Sequence, residues 1–144
     1  MAGTLTVANS SMVLVVADLF PSGVPLQGYA ADEVFSAEPA THIETMMGVD
    51  GRLSGGWVPS ERTVNLSLMG DSDSNFVFEE WAGAQRQRRD ALIATLIVTV
   101  FAINRVYTCT YGFLRTYSSL PDGRRILQPR RYAITFQAID GAPA

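Results

Sequence analysis

Lysine is absent from the 144 residues, and cysteine and histidine occur once each. One cysteine excludes an internal disulfide. Cys109, in Val106-Tyr107-Thr108-Cys109-Thr110, reads as a small buried strand residue. The single histidine, His42, forms an H-x-E pair with Glu44. A zinc deaminase pairs that signature with P-C-x-x-C, which one cysteine cannot supply. Ser72-Asp73-Ser74 has no nearby histidine to act as base. Glu79 and Glu80 point about 100° apart on a helix, so they do not converge on a substrate. There is no P-loop and no G-x-G-x-x-G. The chain therefore reads as a non-enzyme with no metal or cofactor. The longest apolar run, "ALIATLIVTVF" at 91–101, falls short of the roughly 18 residues of a membrane span. "MVLVVA" lacks a basic leader, and Asp18 follows closely, so a signal peptide is not expected. The expectation is a protein made in the cytoplasm, with no membrane anchor.

What is present is arginine, unevenly placed. Residues 1–80 hold eleven acids and two arginines, and residues 81–144 hold nine arginines and three acids. Such a split points to a charged partner, to nucleic acid, or to head-to-tail self-association. Arginine suits lasting contacts because its planar fork binds carboxylates bidentately. The basic run "DGRRILQPRR" at 122–131 raises a nucleic-acid reading, against which stand the net charge of −3 and a pI near 5.0. The residues expected at subunit contacts are Asp32, Glu33, Glu38, Asp71 and Asp73 on the acidic side. Arg124, Arg125, Arg130 and Arg131 are expected on the basic side.

The pattern is mostly β, in one domain spanning 1–144. "GTLTVA" (3–8) alternates, and "SMVLVVADLF" (11–20) reads as a buried strand that Pro21-Ser22-Gly23 breaks. Residues 24–40 read as short strands around an acidic loop at Asp32-Glu33. "THIETMM" (41–47) alternates into an Asp50-Gly51 hairpin turn, with positive φ expected at both central positions. "RTVNLSLM" (62–69) puts Val64, Leu66 and Leu68 on one face. "GDSDSN" then opens a helix over 75–89, capped by Ser72, Ser74 or Asn75. Its apolar side is Phe76, Val77, Phe78, Trp81, Ala82 and Ala84, with acids near its start and arginines at its end, as the helix dipole favours. Three or four strands follow, turning at Asn104 and at Leu120-Pro121-Asp122-Gly123.

The order "MGVDGRLS…ERTVNLSLMGDSDSN", then a helix, resembles the tail tube proteins of contractile-tailed bacteriophages. "PLQGYAADEVFSAEP" stands where that family has a short hairpin and an acidic turn, and "RRYAITFQAI" looks like its closing strand. The likeness covers roughly residues 5–139. It implies a β-sandwich or small barrel with one flanking helix, whose inner strands join a ring-wide β-barrel. Six copies would form a ring, and stacked rings a tube in the virion tail that conducts DNA without binding it specifically. Implied partners are further copies, the tail sheath protein, a tape-measure protein in the lumen, and baseplate or tail-terminator proteins. The segment 28–40 would reach the adjacent ring. Related tubes occur in phage-like bacteriocins and type VI secretion. The competing reading is a small β-barrel that binds nucleic acid or another ligand through its arginine-rich C-terminal half.

Overall fold

The computed structural model describes residues 10–27, 35–120 and 123–144. The expected strand at 3–8, the Asp32-Glu33 loop and Pro121-Asp122 lie outside them. Nine strands form among the described residues: β1 (Ser10–Val16), β2 (Phe20–Leu26), β3 (Phe35–Ala37), β4 (Ile43–Met47), β5 (Leu53–Trp57), β6 (Arg62–Leu68), β7 (Ala94–Val100), β8 (Arg105–Tyr117) and β9 (Arg130–Pro143). One α-helix, α1 (Asn75–Arg88), lies between β6 and β7. Seven strands make one antiparallel sheet in the order β2-β1-β7-β8-β9-β6-β3, and β4 pairs only with β5.

Alternation sets the inner face. Met12, Leu14 and Val16 of β1, Ala94, Leu96 and Val98 of β7, and Val64, Leu66 and Leu68 of β6 are all buried in one core. The sheet curls strongly. Phe35 of β3 and Val98 of β7 line one cleft, although β8, β9 and β6 separate their strands. In a flat sheet four strand spacings would hold them about 19 Å apart. Local breaks in the ladder accompany the curl. Tyr111 has φ 55, and β8 shifts register against β7 between Ala94 and Leu96. Gly112 beside it leaves room for the Phe136 ring, which a Cβ would meet at 2.3 Å.

The helix covers one end of the inner face. Phe78 and Trp81 are fully buried, and Val77 packs against the same core, while Phe76 is exposed. The Trp81 indole N–H donates to the Leu92 carbonyl at 3.2 Å. Below Phe78, the Tyr132 ring stacks at 4.1 Å between centroids.

Three local expectations need correction. Pro21-Ser22-Gly23 does not end the pairing; it belongs to β2. That strand is a sheet edge, where a missing N–H costs no ladder bond, and Gly23 takes φ 87. The Asp50-Gly51 turn is a three-residue loop. Gly48 and Arg52 close it through Gly48 N–H to Arg52 C=O at 2.8 Å, and only Gly51 of the pair has positive φ. The α1 start has no side-chain cap. Ser74 Oγ instead accepts from the Gln27 N–H at 2.7 Å, and Ser72 Oγ donates to the Gln27 carbonyl. The first turn of α1 itself holds no acid, but Asp71 and Asp73 lie just before its Ser74 N-cap, and Arg86 and Arg88 lie in its last turn.

Trp81→Ala should cost about 3–5 kcal/mol, since it empties a fully buried aromatic site and orphans the Leu92 carbonyl. Urea denaturation checks this; a loss below about 1 kcal/mol would contradict the packing described.

Candidate assembly surface

The β4–β5 hairpin stands apart from the core. Every residue of both strands is exposed. Its register pairs Ile43 with Trp57, Thr45 with Gly55 and Met47 with Leu53. Paired residues share a face. One face of this ribbon therefore carries Ile43, Met47, Leu53 and Trp57, and the other carries Glu44, Met46, Ser54 and Gly56. Trp57 is 71% exposed and Met47 63%. An isolated two-stranded ribbon is marginal in water, and an apolar face of this kind marks a contact surface. Sequence reading placed the reaching segment at 28–40 instead. Within it, Phe35–Ala37 is β3, paired to β6, and Phe35 packs against the core. The described part of that segment is thus a sheet edge, and among the described residues the projecting element is the hairpin that follows. The alternation in "IETMM" was a usable signal, but Gly55-Gly56 disguised the second strand.

The expected contact residues are scattered. Asp32 and Glu33 lie outside the described residues. Glu38 is exposed just after β3, its N–H donating to Thr63 C=O at 3.0 Å. Asp71 and Asp73 are exposed in the turn before α1, and Arg124 and Arg125 are exposed in the β8–β9 connection. These last two groups share a corner. Gly70 lies against Leu127 and Gln128, so closely that a Cβ would come within 2.9 Å of the Gln128 carbonyl. Exposed Met69, Leu120, Ile126 and Leu127 belong to the same two segments. Arg131 is exposed on the outward face of β9, in a shallow polar cavity with Ser36, Asn65, Ser67 and Thr116.

Arg130 differs from its neighbours. Its side chain is 4% exposed, and Nη1 donates to Glu79 Oε1 at 2.8 Å. Nη2 donates to the Ser118 carbonyl, and the guanidinium lies 5.8 Å from the Tyr132 ring centroid. This arginine is committed inside its own subunit. The other two ion pairs among the described residues are Arg88–Asp18 and Arg115–Glu61, each at 3.4 Å. All three join a base from residues 81–144 to an acid from residues 1–80. Part of the charge split along the sequence is therefore neutralised within the fold.

The outward face of β1 and β7 carries no charge, whereas β9 adds Arg131 and also Asp140, which lies opposite Thr108 of β8. Ser11, Val13 and Val15 of β1 lie beside Thr99, Ile97 and Thr95 of β7, and these beside Val106 and Thr108 of β8. Among the described residues, no group of His, Cys, Asp and Glu could hold a metal ion. No helix among them is long and apolar enough to cross a membrane.

Residues 3–140 match the family described as "Tail fiber protein gp32". The chain belongs to this family. No curated protein matches it. Among solved structures, the gp32-family fold recurs in assemblies of contractile injection systems. A chain in the sheath-tube complex of an extracellular contractile injection system, PVC, in the extended state, matches at TM-score 0.62 and 7% identity, over 100% of this chain and 93% of that one. A chain in the anti-feeding prophage (AFP) baseplate matches at 0.57 and 9%, over 99% and 98%. One in the PVC sheath/tube terminator matches at 0.57 and 7%, over 99% of each chain. The expected fold class, mostly β with one flanking helix, is the one found, and the gp32 family makes the chain a structural tail component.

Two buried groups weaken the fold at alkaline pH. Burial pushes the Cys109 thiol from 9.0 up to about 11. Burial likewise pushes the Tyr132 phenol from 10.0 up to about 12, with a smaller downward pull from Arg130 and an upward push from Glu79. Both groups stay neutral in the fold after the unfolded chain has begun to ionise, so their stabilisation is complete below pH 9 and lost as pH rises. The urea midpoint should fall between pH 9 and 12, and Tyr132→Phe should flatten the later part of that fall. An unchanged slope in the variant would contradict the assignment.

Proposed function

We propose that this protein is a tube subunit of a contractile tail. Copies meet head to tail in closed rings, with six as the expected number, and rings stack into a hollow tube. The observation that carries this reading is the projecting hairpin, whose apolar face has no cover among the described residues. A heterologous contact of that kind forms rings when its rotation closes. The sheet also ends at two free edges among the described residues, β2 and β3. Joining such edges across copies would give a ring-wide barrel with none left open.

The uncharged outward face of β1 and β7 supports a lumen that conducts DNA. A phosphate paired with arginine adds affinity and drag, and serine, threonine and valine offer neither. Sheath, tape-measure, terminator and baseplate proteins are the partners such a tube requires. The virion tail is its place, after assembly in the host cytoplasm. Arg124, Arg125 and Arg131 meet carboxylates of a neighbouring copy, drawn from Asp32, Glu33, Glu38, Asp71 and Asp73. Glu38 is the clearest intermolecular candidate. It sits at the start of β6, whereas Asp71 and Asp73 follow the end of β6 and share a corner with Arg124 and Arg125 in one subunit.

Negative-stain microscopy of the purified protein should show rings or tubes. Replacing residues 43–57 with a short Gly-Ser turn should leave the subunit folded and abolish rings and tubes. Reversing Arg124 and Arg125 to Glu should weaken assembly, and Glu38→Arg should restore part of it. Each exposed pair is worth only about 0–1 kcal/mol, but a ring repeats it at every interface. A monodisperse monomer with salt-sensitive DNA binding would overturn the tube and favour a nucleic-acid-binding barrel.

A further inference from the structure

The half of the inner face that α1 leaves uncovered forms an apolar cleft of about 280 Å³. Phe35, Val64, Val98, Tyr107, Cys109 and Ile139 line it, with Ala37 at its exposed rim. Its floor is core: Cys109 is 2% exposed, and Val64 and Val98 are 5%. A sheet face of this kind is normally covered by another layer. Among the described residues two apolar features therefore lack a partner, one concave and one projecting.

We infer that this cleft receives Trp57 from the β4–β5 hairpin of a second copy. The inference rests on the self-assembly reading above and names the contact through which it works. Tryptophan is a favoured anchor at protein contacts because it fills an apolar pocket while its N–H reaches a polar partner at the rim. Of the two tryptophans, Trp81 is spent in the core and Trp57 is free. Ile43 pairs with Trp57 on the same face, so both enter together. Gly55 is next in the row and keeps that face low between the Ile43–Trp57 and Met47–Leu53 pairs.

The hairpin is held away from the cleft of its own chain. Glu38 N–H binds Thr63 C=O at 3.0 Å, and Val58 N–H binds His42 C=O at 2.8 Å, so both connections run on as a ladder beyond β3 and β6. Arg62 locks that base, with Nη1 donating to the Ser60 carbonyl at 2.8 Å and Nη2 lying 3.1 Å from His42 Nδ1. Folding back would break these bonds. Insertion into a second copy breaks none.

Each copy then offers one hairpin and one cleft, which complementation can test. Ala37→Glu puts a charge at the exposed cleft rim, and Trp57→Ser removes the anchor; neither touches a buried side chain. Sedimentation of the full-length protein reads association, and acrylamide quenching reads Trp57, because Trp81 is fully buried. Each variant alone should associate at least about tenfold more weakly than the parent. An equimolar mixture should form a one-to-one pair that neither forms alone, through the intact cleft of one variant and the intact hairpin of the other. Trp57 should be shielded in the assembled parent and quenched in Ala37→Glu. Ala37→Glu assembling like the parent would overturn the cleft contact and leave the tube standing. Trp57 already shielded in the dilute monomer would mean that the hairpin folds onto its own subunit. A destabilised Ala37→Glu monomer with normal association would assign the cleft to a segment of the same chain. Either result overturns the inference. A parent that never associates overturns both this contact and the tube.

Discussion

The subunit depends on how α1 is fixed to β9. Tyr132 stacks on Phe78, and its hydroxyl donates to Asn75 Oδ1 at 2.8 Å. Asn75 Nδ2 donates in turn to the Met69 carbonyl at 2.9 Å, while Arg130 ties Glu79 to the Ser118 carbonyl. The link thus combines ring contact, a satisfied buried amide and a partly buried ion pair. A bare apolar interface would allow the helix to slide or roll. These directional bonds fix its position, because leaving any of them unmade in the interior carries a desolvation cost. Ser72 and Ser74 extend the same fixing to Gln27, at the end of the edge strand β2.

That arrangement explains what the sequence could and could not reveal. Strand β6 was legible from the alternation that burial on one face imposes, β1 from an apolar, β-branched run, and β7, β8 and β9 as strands following the helix. The helix was legible to within a residue, since a polar cluster marks its start. Its cap was misread because a serine hydroxyl has one local and many distant uses, and only the tertiary fold decides between them. The β2 strand was hidden by Pro21 and Pro25, which sequence rules treat as breakers but which an edge tolerates. Arg130 could not be separated from Arg131 by sequence. Neighbours on a strand point to opposite faces, and here one enters the interior and the other meets solvent.

The contact surface was less legible than the fold. Charge asymmetry is a property of the chain, whereas complementarity is a property of surfaces. Asp18, Glu61 and Glu79 each found an arginine from the other half within the same subunit. The apolar ribbon at 43–57 gave a weaker signal, because exposed and buried strands show the same alternation. Only the absence of anything packed on it tells them apart.

The sheet order also governs how the chain reaches this state. β1 lies between β2 and β7, so one of its edges waits for a strand made much later in synthesis. Likewise β6 cannot pair with β9 until the last strand has emerged. Pairings so distant along the chain close slowly and leave strand edges open meanwhile. The hairpin, by contrast, closes through a three-residue loop and can form early. A nascent chain would then expose this apolar segment before the sheet beside it exists. On a crowded polysome, this places a premium on completing the sheet before neighbouring chains meet.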